Sequence, residues 1–251
     1  MSITNKELIA KLKDIKDNYT TTYMWGMFGG PVTESKIQEK TRQYPSFYTS
    51  SRQATLRKMI GKNVYAFDCI GLIKGVLWGW NGDPKHPHGG ARYQSNNVPD
   101  IDANVTINRC KDVSADFSKI VPGSAVWLPG HIGIYIGDGR VIEATPSWKD
   151  GVQETACLNI GSIAGLPGRR WTKHGKLPWI EYVVESNTIP TTITFQNRKY
   201  PAEIRDGKTV VQAKVLVDML GANTEIEFRR FAEALGYQVH YNSITKEVIM
   251  K

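Results

Sequence analysis

The sequence predicts an α+β protein, helices first and an antiparallel sheet after them, with a second, small α+β unit at the end. Three observations predict it. Apolar residues recur at helical spacing from Asn5 and again from Asp68. From Val121 the period changes to two. A polar, Pro-containing stretch, Ser186 to Thr192, then separates this pattern from a fresh set of short strands.

The elements follow in order. Thr4 with Glu7 three residues later forms a capping box, and Leu8, Ile9, Leu12 and Ile15 continue it as an amphipathic helix from about Asn5 to Asp17. Residues 20–62 read as irregular, with Gly26, Gly29-Gly30-Pro31 and a Ser/Thr-rich stretch, and carry only a weak helical pattern from Ser51 to Ile60. Asp68 is a good N-cap for a second helix, whose stripe is Leu72, Ile73, Val76, Leu77 and Trp80. Gly71, Gly75 and Gly79 lie along it at i+4, at a cost of about 1 kcal/mol each against alanine, which makes sense where another backbone packs close. Residues 81–111 read as loop. Val121 to Ser124 is a turn and Ala125 to Leu128 a strand. Residues 131–137 and 140–145 form a hairpin around Asp138-Gly139, and 152–158 and 179–184 offer further strands. In the final unit, 193–195 and 200–204 read as strands. Phe228 to Leu235 reads as a helix ended by Gly236, and 237–241 with 247–250 as a closing hairpin.

Bulk composition narrows the functional classes. The chain has 251 residues, of which 41% are hydrophobic, so a packed core is expected. No stretch approaches the length of a membrane span, and the charged N-terminus lacks a signal peptide's apolar run. A net charge of +8 favours polyanionic surroundings such as nucleic acid, an anionic membrane or wall teichoic acids, but the cations are scattered rather than clustered, which argues against nucleic acid. Three cysteines, Cys69, Cys110 and Cys157, are too few for a disulfide framework. No phosphate loop or dinucleotide fingerprint is present. Asp83, His86 and His88 have ligand chemistry, but His-Pro-His lies on an extended loop with no further cluster, so neither metal nor cofactor is expected. Trp127, Trp148, Trp171 and Trp179 are candidates for stacking on sugars, about half of them expected in the core.

Cys69 carries the chemistry. It follows the N-cap Asp68, where unpaired N–H groups and the helix dipole favour a thiolate and can also steady an oxyanion. His131 follows Pro129-Gly130 at the mouth of the patterned hairpin, and a base there needs a third group to orient it. Glu143 is that candidate. A two-residue turn pairing Gly137 with Arg140 puts Glu143 on the face opposite His131. A three-residue loop with a bulge pairs Gly133 with Glu143 and makes Glu143 a diagonal neighbour on the same face.

Phe67-Asp68-Cys69-Ile70-Gly71-Leu72-Ile73, His131-Ile132-Gly133-Ile134-Tyr135-Ile136-Gly137-Asp138-Gly139 and Val141-Ile142-Glu143-Ala144 resemble the NlpC family (NlpC/P-sixty) of papain-like peptidoglycan hydrolases over residues 19–183. The resemblance implies a papain-like fold, a cysteine nucleophile at Cys69, a base at His131 and an orienting residue at Glu143. Thr22-Tyr23-Met24-Trp25-Gly26 resembles the family's Tyr-x-Trp-Gly segment, which makes Tyr23 an oxyanion-side residue, with Trp25 and Asp68 grouped beside it as substrate contacts. The chain departs from the family between Gly26 and Phe67, where an insertion over 27–66 can shape or cover the groove.

Phe228 to Tyr241 and Thr245 to Ile249 resemble the small domain named after the copper amine oxidase N-terminus. One histidine, His240, makes no copper site. The resemblance implies a module for wall binding or self-association. The expected organisation is a peptidase or amidase domain over 1–185, a linker over 186–192 and this module over 193–251. The expected function is cysteine-dependent cleavage of an amide in peptidoglycan, with teichoic acids as further partners and no nucleic acid. A wall hydrolase without a signal peptide suggests a phage endolysin, made in the host cytoplasm and acting at the wall. The alternative is a non-catalytic wall-binding protein or a papain-like acyltransferase. The bond cut, whether sugar–alanine, γ-glutamyl–diamino acid or cross-bridge, is left open.

Overall fold

The structure is a computed structural model that describes residues 3–183, 188–195, 198–205, 208–212, 215, 239–242 and 247–250. The chain divides into two compact units, Met1–Val183 and Val184–Lys251; the first is mixed α+β, and the described elements of the second are strands. No helix among the described residues is long and apolar enough to cross a membrane.

In the first unit, α1 (Asn5–Asn18) begins at the expected capping box. Glu7 N–H donates to Thr4 Oγ1 at 3.2 Å and Thr4 N–H to Glu7 Oε2 at 2.7 Å. Leu8, Leu12 and Ile15 bury its inner stripe. The segment read as irregular is instead well structured. It holds β1 (Thr20–Tyr23), β2 (Phe28–Pro31), α2 (Glu34–Gln43) and α3 (Ser50–Arg57), followed by β3 (Val64–Phe67). The strands are four residues each, too short to show a period. Helix α2 buries Ile37 and α3 buries Leu56, so neither carries a stripe. Strand β3 lies at the centre of a small sheet, parallel to β1 and antiparallel to β2.

Helix α4 (Cys69–Leu77) follows β3 directly, and all its residues except Lys74 are buried, as suits a helix that is apolar all round. The glycine line has two explanations. A Cβ at Gly71 would collide with the Met27 carbonyl oxygen, and one at Gly75 would lie 2.5 Å from that of Phe28, so β2 packs backbone-to-helix there. Gly79 faces open space. Its φ of +88° places it in the left-handed region just past the helix end.

The loop expected over 81–111 contains α5 (Ala103–Arg109), capped by Asp102, whose Oδ1 accepts from Val105 N–H at 2.8 Å. Its single turn of buried residues, Ala103, Thr106 and Ile107, is too short for a periodic signal. The large sheet is built from β4 (Lys111–Ser114), β5 (Ala125–Leu128), β6 (His131–Gly137), β7 (Arg140–Thr145), β8 (Gly151–Cys157), β9 (Gly168–Arg169) and β10 (Lys173–Lys176), in the order β4-β10-β5-β6-β7-β8-β9. Residues 179–183 do not form the expected strand. Glu181 makes one isolated bridge to Thr4, because the segment serves to hold the N-terminus of α1 through Asn5 N–H to the Glu181 carbonyl at 2.8 Å. Ile132, Ile134, Ile142, Ala144 and Val152 share a core with α1 and α4, while Tyr135, Val141, Cys157 and Trp171 pack in a separate cluster.

In the second unit, β11 (Thr188–Phe195), β12 (Arg198–Arg205), β13 (Lys208–Gln212), β14 (Val239–Asn242) and β15 (Glu247–Met250) form a sheet ordered β11-β12-β13-β15-β14. The linker expected over 186–192 is therefore strand from Thr188 onward. Its β-branched residues pair with β12, and Pro190 is tolerated because β11 is an edge. Strands β14 and β15 pair antiparallel, as the closing hairpin requires. The helix expected over 228–235, with Gly236, lies outside the described residues.

Candidate active site

Asp68 organises the entrance to α4. Its Oδ1 accepts from Gly71 N–H at 2.5 Å and its Oδ2 from Gly26 N–H at 2.7 Å, so one carboxyl caps the helix and ties down the Tyr23–Gly26 turn. Burial pushes its carboxyl up, against the lowering influence of these two N–H groups and Lys74. The parallel register of β1 and β3 aligns Tyr23 with Phe67, next to Asp68 and Cys69. The insertion over 27–66 therefore leaves Tyr23 beside Cys69. Arg52 of α3 supports this arrangement, with a bond to the Tyr23 carbonyl oxygen and an ion pair to Asp150 at 3.0 Å.

Cys69 is 6% exposed and lies on a cavity of about 380 Å³, with Tyr23, Trp25, Phe47, Asn104, Gly130 and Pro146 on its walls. Its sulfur faces the Ile132 and Ile70 N–H groups and the Tyr23 hydroxyl. Burial, and then the charge of Asp68, push the thiol up to about 12 despite these donors. The sequence leads one to expect a thiol ionised at neutral pH by the helix end and a nearby imidazole. The structure differs first because the sulfur is buried, and then because Asp68 occupies that same helix end, taking a terminal N–H and placing its own charge beside the sulfur. Burial, followed by the charges of Cys69 and Asp68, pushes the Tyr23 hydroxyl up as well, so it remains a protonated donor.

The hairpin of β6 and β7 resolves the question of faces by combining both expected features. Gly137 pairs with Arg140 across a two-residue turn, and a bulge between Tyr135 and Gly137 shifts the register, so that Tyr135 pairs with Val141 and Ile134 with Ile142. Glu143 then falls opposite Gly133 on the same face as His131. A Cβ at Gly133 would lie 3.2 Å from the Glu143 Cβ, so the missing side chain leaves the diagonal open. His131 Nε2 and Glu143 Oε2 are 2.5 Å apart. Glu143 is fully buried and also accepts from Thr155 Oγ1 at 2.7 Å and from Arg169 Nε at 2.8 Å. Burial raises its carboxyl, but the hydrogen bond and charge of His131, then Arg169 and Thr155, outweigh it and hold Glu143 below the ordinary range. An ionised carboxylate only accepts, so Nε2 carries the proton and Nδ1 is left as the basic nitrogen. The His131 ring stacks on buried Trp171 at 5.6 Å and 10°. Among the described residues no hydrogen bond joins Cys69 to His131; the sulfur meets the N–H of the next residue, Ile132.

Trp25 is 47% exposed, stacks on Tyr44 at 5.3 Å, and lines both this cavity and a neighbouring one of about 600 Å³. The larger cavity is walled on one side by Lys36, Lys40 and Tyr44 of the insertion, which thus shapes a groove. Of the other candidates, Trp171 packs in the core, while Trp148 is 53% exposed under the Arg169 guanidinium. His88 stacks on Phe28 at 4.3 Å, and no group of three or more His, Cys, Asp or Glu residues placed to hold a metal occurs among the described residues. Sequence reasoning missed Arg169, Thr155 and Arg52. The polar pair Gln153 and Thr155, two apart on one face of β8, could have pointed to Thr155, whereas nothing local marks either arginine. The chain matches no protein-family model and no curated protein.

Proposed function

We propose that the first unit is a papain-like cysteine hydrolase that cuts an amide bond of bacterial peptidoglycan. The observation that carries the reading is the fixed Glu143–His131 pair, with Nδ1 left as the base, on the strand whose next residue, Ile132, offers its N–H to the sulfur of a cavity-lining cysteine at the first position of a helix. In the reaction, Cys69 Sγ attacks the amide carbonyl carbon as its proton passes to His131 Nδ1. Because the resting thiol is protonated, this transfer accompanies attack rather than preceding it. Hydrogen bonds to the base are long in free enzymes and tighten when substrate closes the site. The Cys69 N–H, which has no partner within the helix, and the Tyr23 hydroxyl stabilise the oxyanion. Collapse returns the proton to the leaving amine, and water then hydrolyses the thioester with His131 again as base. The substrate class rests on the sequence resemblance of the three motifs, and the second unit is read as the wall-binding or self-associating module on the same ground.

The test is clearing of purified cell walls, with mass spectrometry of the released fragments. The wild-type protein should release peptide fragments that identify the bond, and Cys69→Ala should release none while keeping its fold. Undiminished release by that variant removes the mechanism. The second reading, a wall-binding protein with a silent thiol, is favoured by the burial of Cys69. It predicts wall binding with no fragments from either form.

A further inference from the structure

Glu143 is not held by the imidazole alone. Its Oε2 receives two donors, His131 Nε2 at 2.5 Å and Arg169 Nε at 2.8 Å, and its Oε1 receives the Thr155 hydroxyl at 2.7 Å. Arg169 arrives from β9, which pairs parallel to β8 with Cys157 opposite Arg169. A second arm of the guanidinium donates to Thr145 Oγ1 at 2.8 Å, and its face lies 4.6 Å from the exposed ring of Trp148. Trp148 adopts a positive φ of 56°, an unusual backbone state for so large a residue.

We propose that Arg169 is a positioning residue for the Glu143–His131 pair, keeping Glu143 a carboxylate in one orientation so that the imidazole retains its Nε2 proton and presents Nδ1. A fully buried carboxylate with no cation beside it gains a proton rather than remain charged. A protonated Glu143 can donate to Nε2 and so compete for the nitrogen arrangement that base catalysis needs. The groups facing Glu143 are His131 from β6, Arg169 from β9 and the Thr155 hydroxyl from β8. Among the described residues Arg169 is thus the one permanent charge in direct contact with it, since His131 changes charge during the proposed reaction. The inference rests on the proposed hydrolase reading for its catalytic consequence but not for its first readout.

That readout is the titration of the Glu143 side-chain carboxyl, followed by carbon NMR on full-length protein. In Arg169→Met the midpoint should rise by about one pH unit or more, the shift expected on losing an adjacent opposite charge. Arg169→Gln preserves a polar stem if the methionine variant folds poorly, and should move the midpoint the same way. Arg169→Lys should return it at least halfway. An unmoved midpoint in the neutral variants, or a lysine variant as high as methionine, overturns the proposal. If the hydrolase reading also holds, the acid limb of kcat/KM on wall fragments moves up with the carboxyl. A moved carboxyl in the variants, with a wild-type protein that releases no fragments, refutes the hydrolase reading and leaves the positioning role intact.

Discussion

Asp68 and Cys69 are neighbours in sequence that act against each other. The carboxyl that starts α4 and anchors Gly26 also raises the thiol it introduces. Asp68→Asn should therefore speed alkylation of Cys69 by iodoacetamide at pH 8, as the repelling charge is lost. Its NH2 group cannot accept from Gly26 N–H, so the same variant should lose about 1–2 kcal/mol of stability in denaturant titrations. A variant that is both slower to alkylate and fully stable refutes this account of the helix entrance.

The raised thiol has an alkaline consequence. A cysteine pushed up in the folded state binds its proton where the unfolded chain, near pH 9, has released it. Stability conferred by the neutral thiol is complete below about pH 8.5 and is lost between there and about pH 12. Thermal unfolding measured from pH 8 to 10.5 should show a falling Tm. Cys69→Ala should fall less steeply, by up to about 1.4 kcal/mol per pH unit. Parallel curves for the two proteins contradict the burial of the sulfur.

Glu143 gives the opposite sign. Its folded carboxyl is lowered, so its stabilisation is present above the unfolded value of about 4.3 and is lost as pH falls through the folded one. Acid unfolding of the wild type should thus begin below about pH 4.3, and Glu143→Gln should lack this contribution. At neutral pH that variant leaves Arg169 without its carboxylate. It should lose about 3 kcal/mol, the scale for breaking a largely buried pair from one side. Urea unfolding at pH 7 and pH 4 compares the two proteins directly.

Gly71 in α4 and Gly79 just past its end separate two physical demands. Gly71→Ala drives a methyl group into the Met27 carbonyl and should cost about 3 kcal/mol, with misplacement of the Tyr23–Gly26 turn and loss of activity. Gly79→Ala meets no atoms, but its φ of +88° is unfavourable for alanine, and it should cost about 1–2 kcal/mol with activity retained. Equal costs for both, measured by Tm and wall clearing, run against the close approach of β2 to the helix.

Legibility in the sequence tracked the length scale of each signal. The capping box at Thr4 and Glu7, the N-cap Asp68 and the hairpin of β6 and β7 are local, and the structure carries all three. Helices α2 and α5 left no signal, and α3 only the weak pattern from Ser51 to Ile60, because each buries a face only one or a few residues wide. The placement of Tyr23 depends on a parallel pairing across the whole insertion, which no local pattern encodes. Arg169 reaches Glu143 from a two-residue strand, so its role exists only in the folded sheet. The expected thiolate failed for a different reason. The fold buries the sulfur, and the capping carboxylate adds its own charge beside it, neither of which a helix-end dipole offsets.

The bulge at Ile136 makes the hairpin's residue count as consequential as its chemistry. The strand holds one more residue than its ladder uses, and absorbing that surplus keeps imidazole and carboxylate together. A chain shortened by deleting Ile136 alone would keep them joined. A deletion anywhere between Arg140 and Glu143 would remove no reactive group yet part them, and no single substitution elsewhere would restore the match.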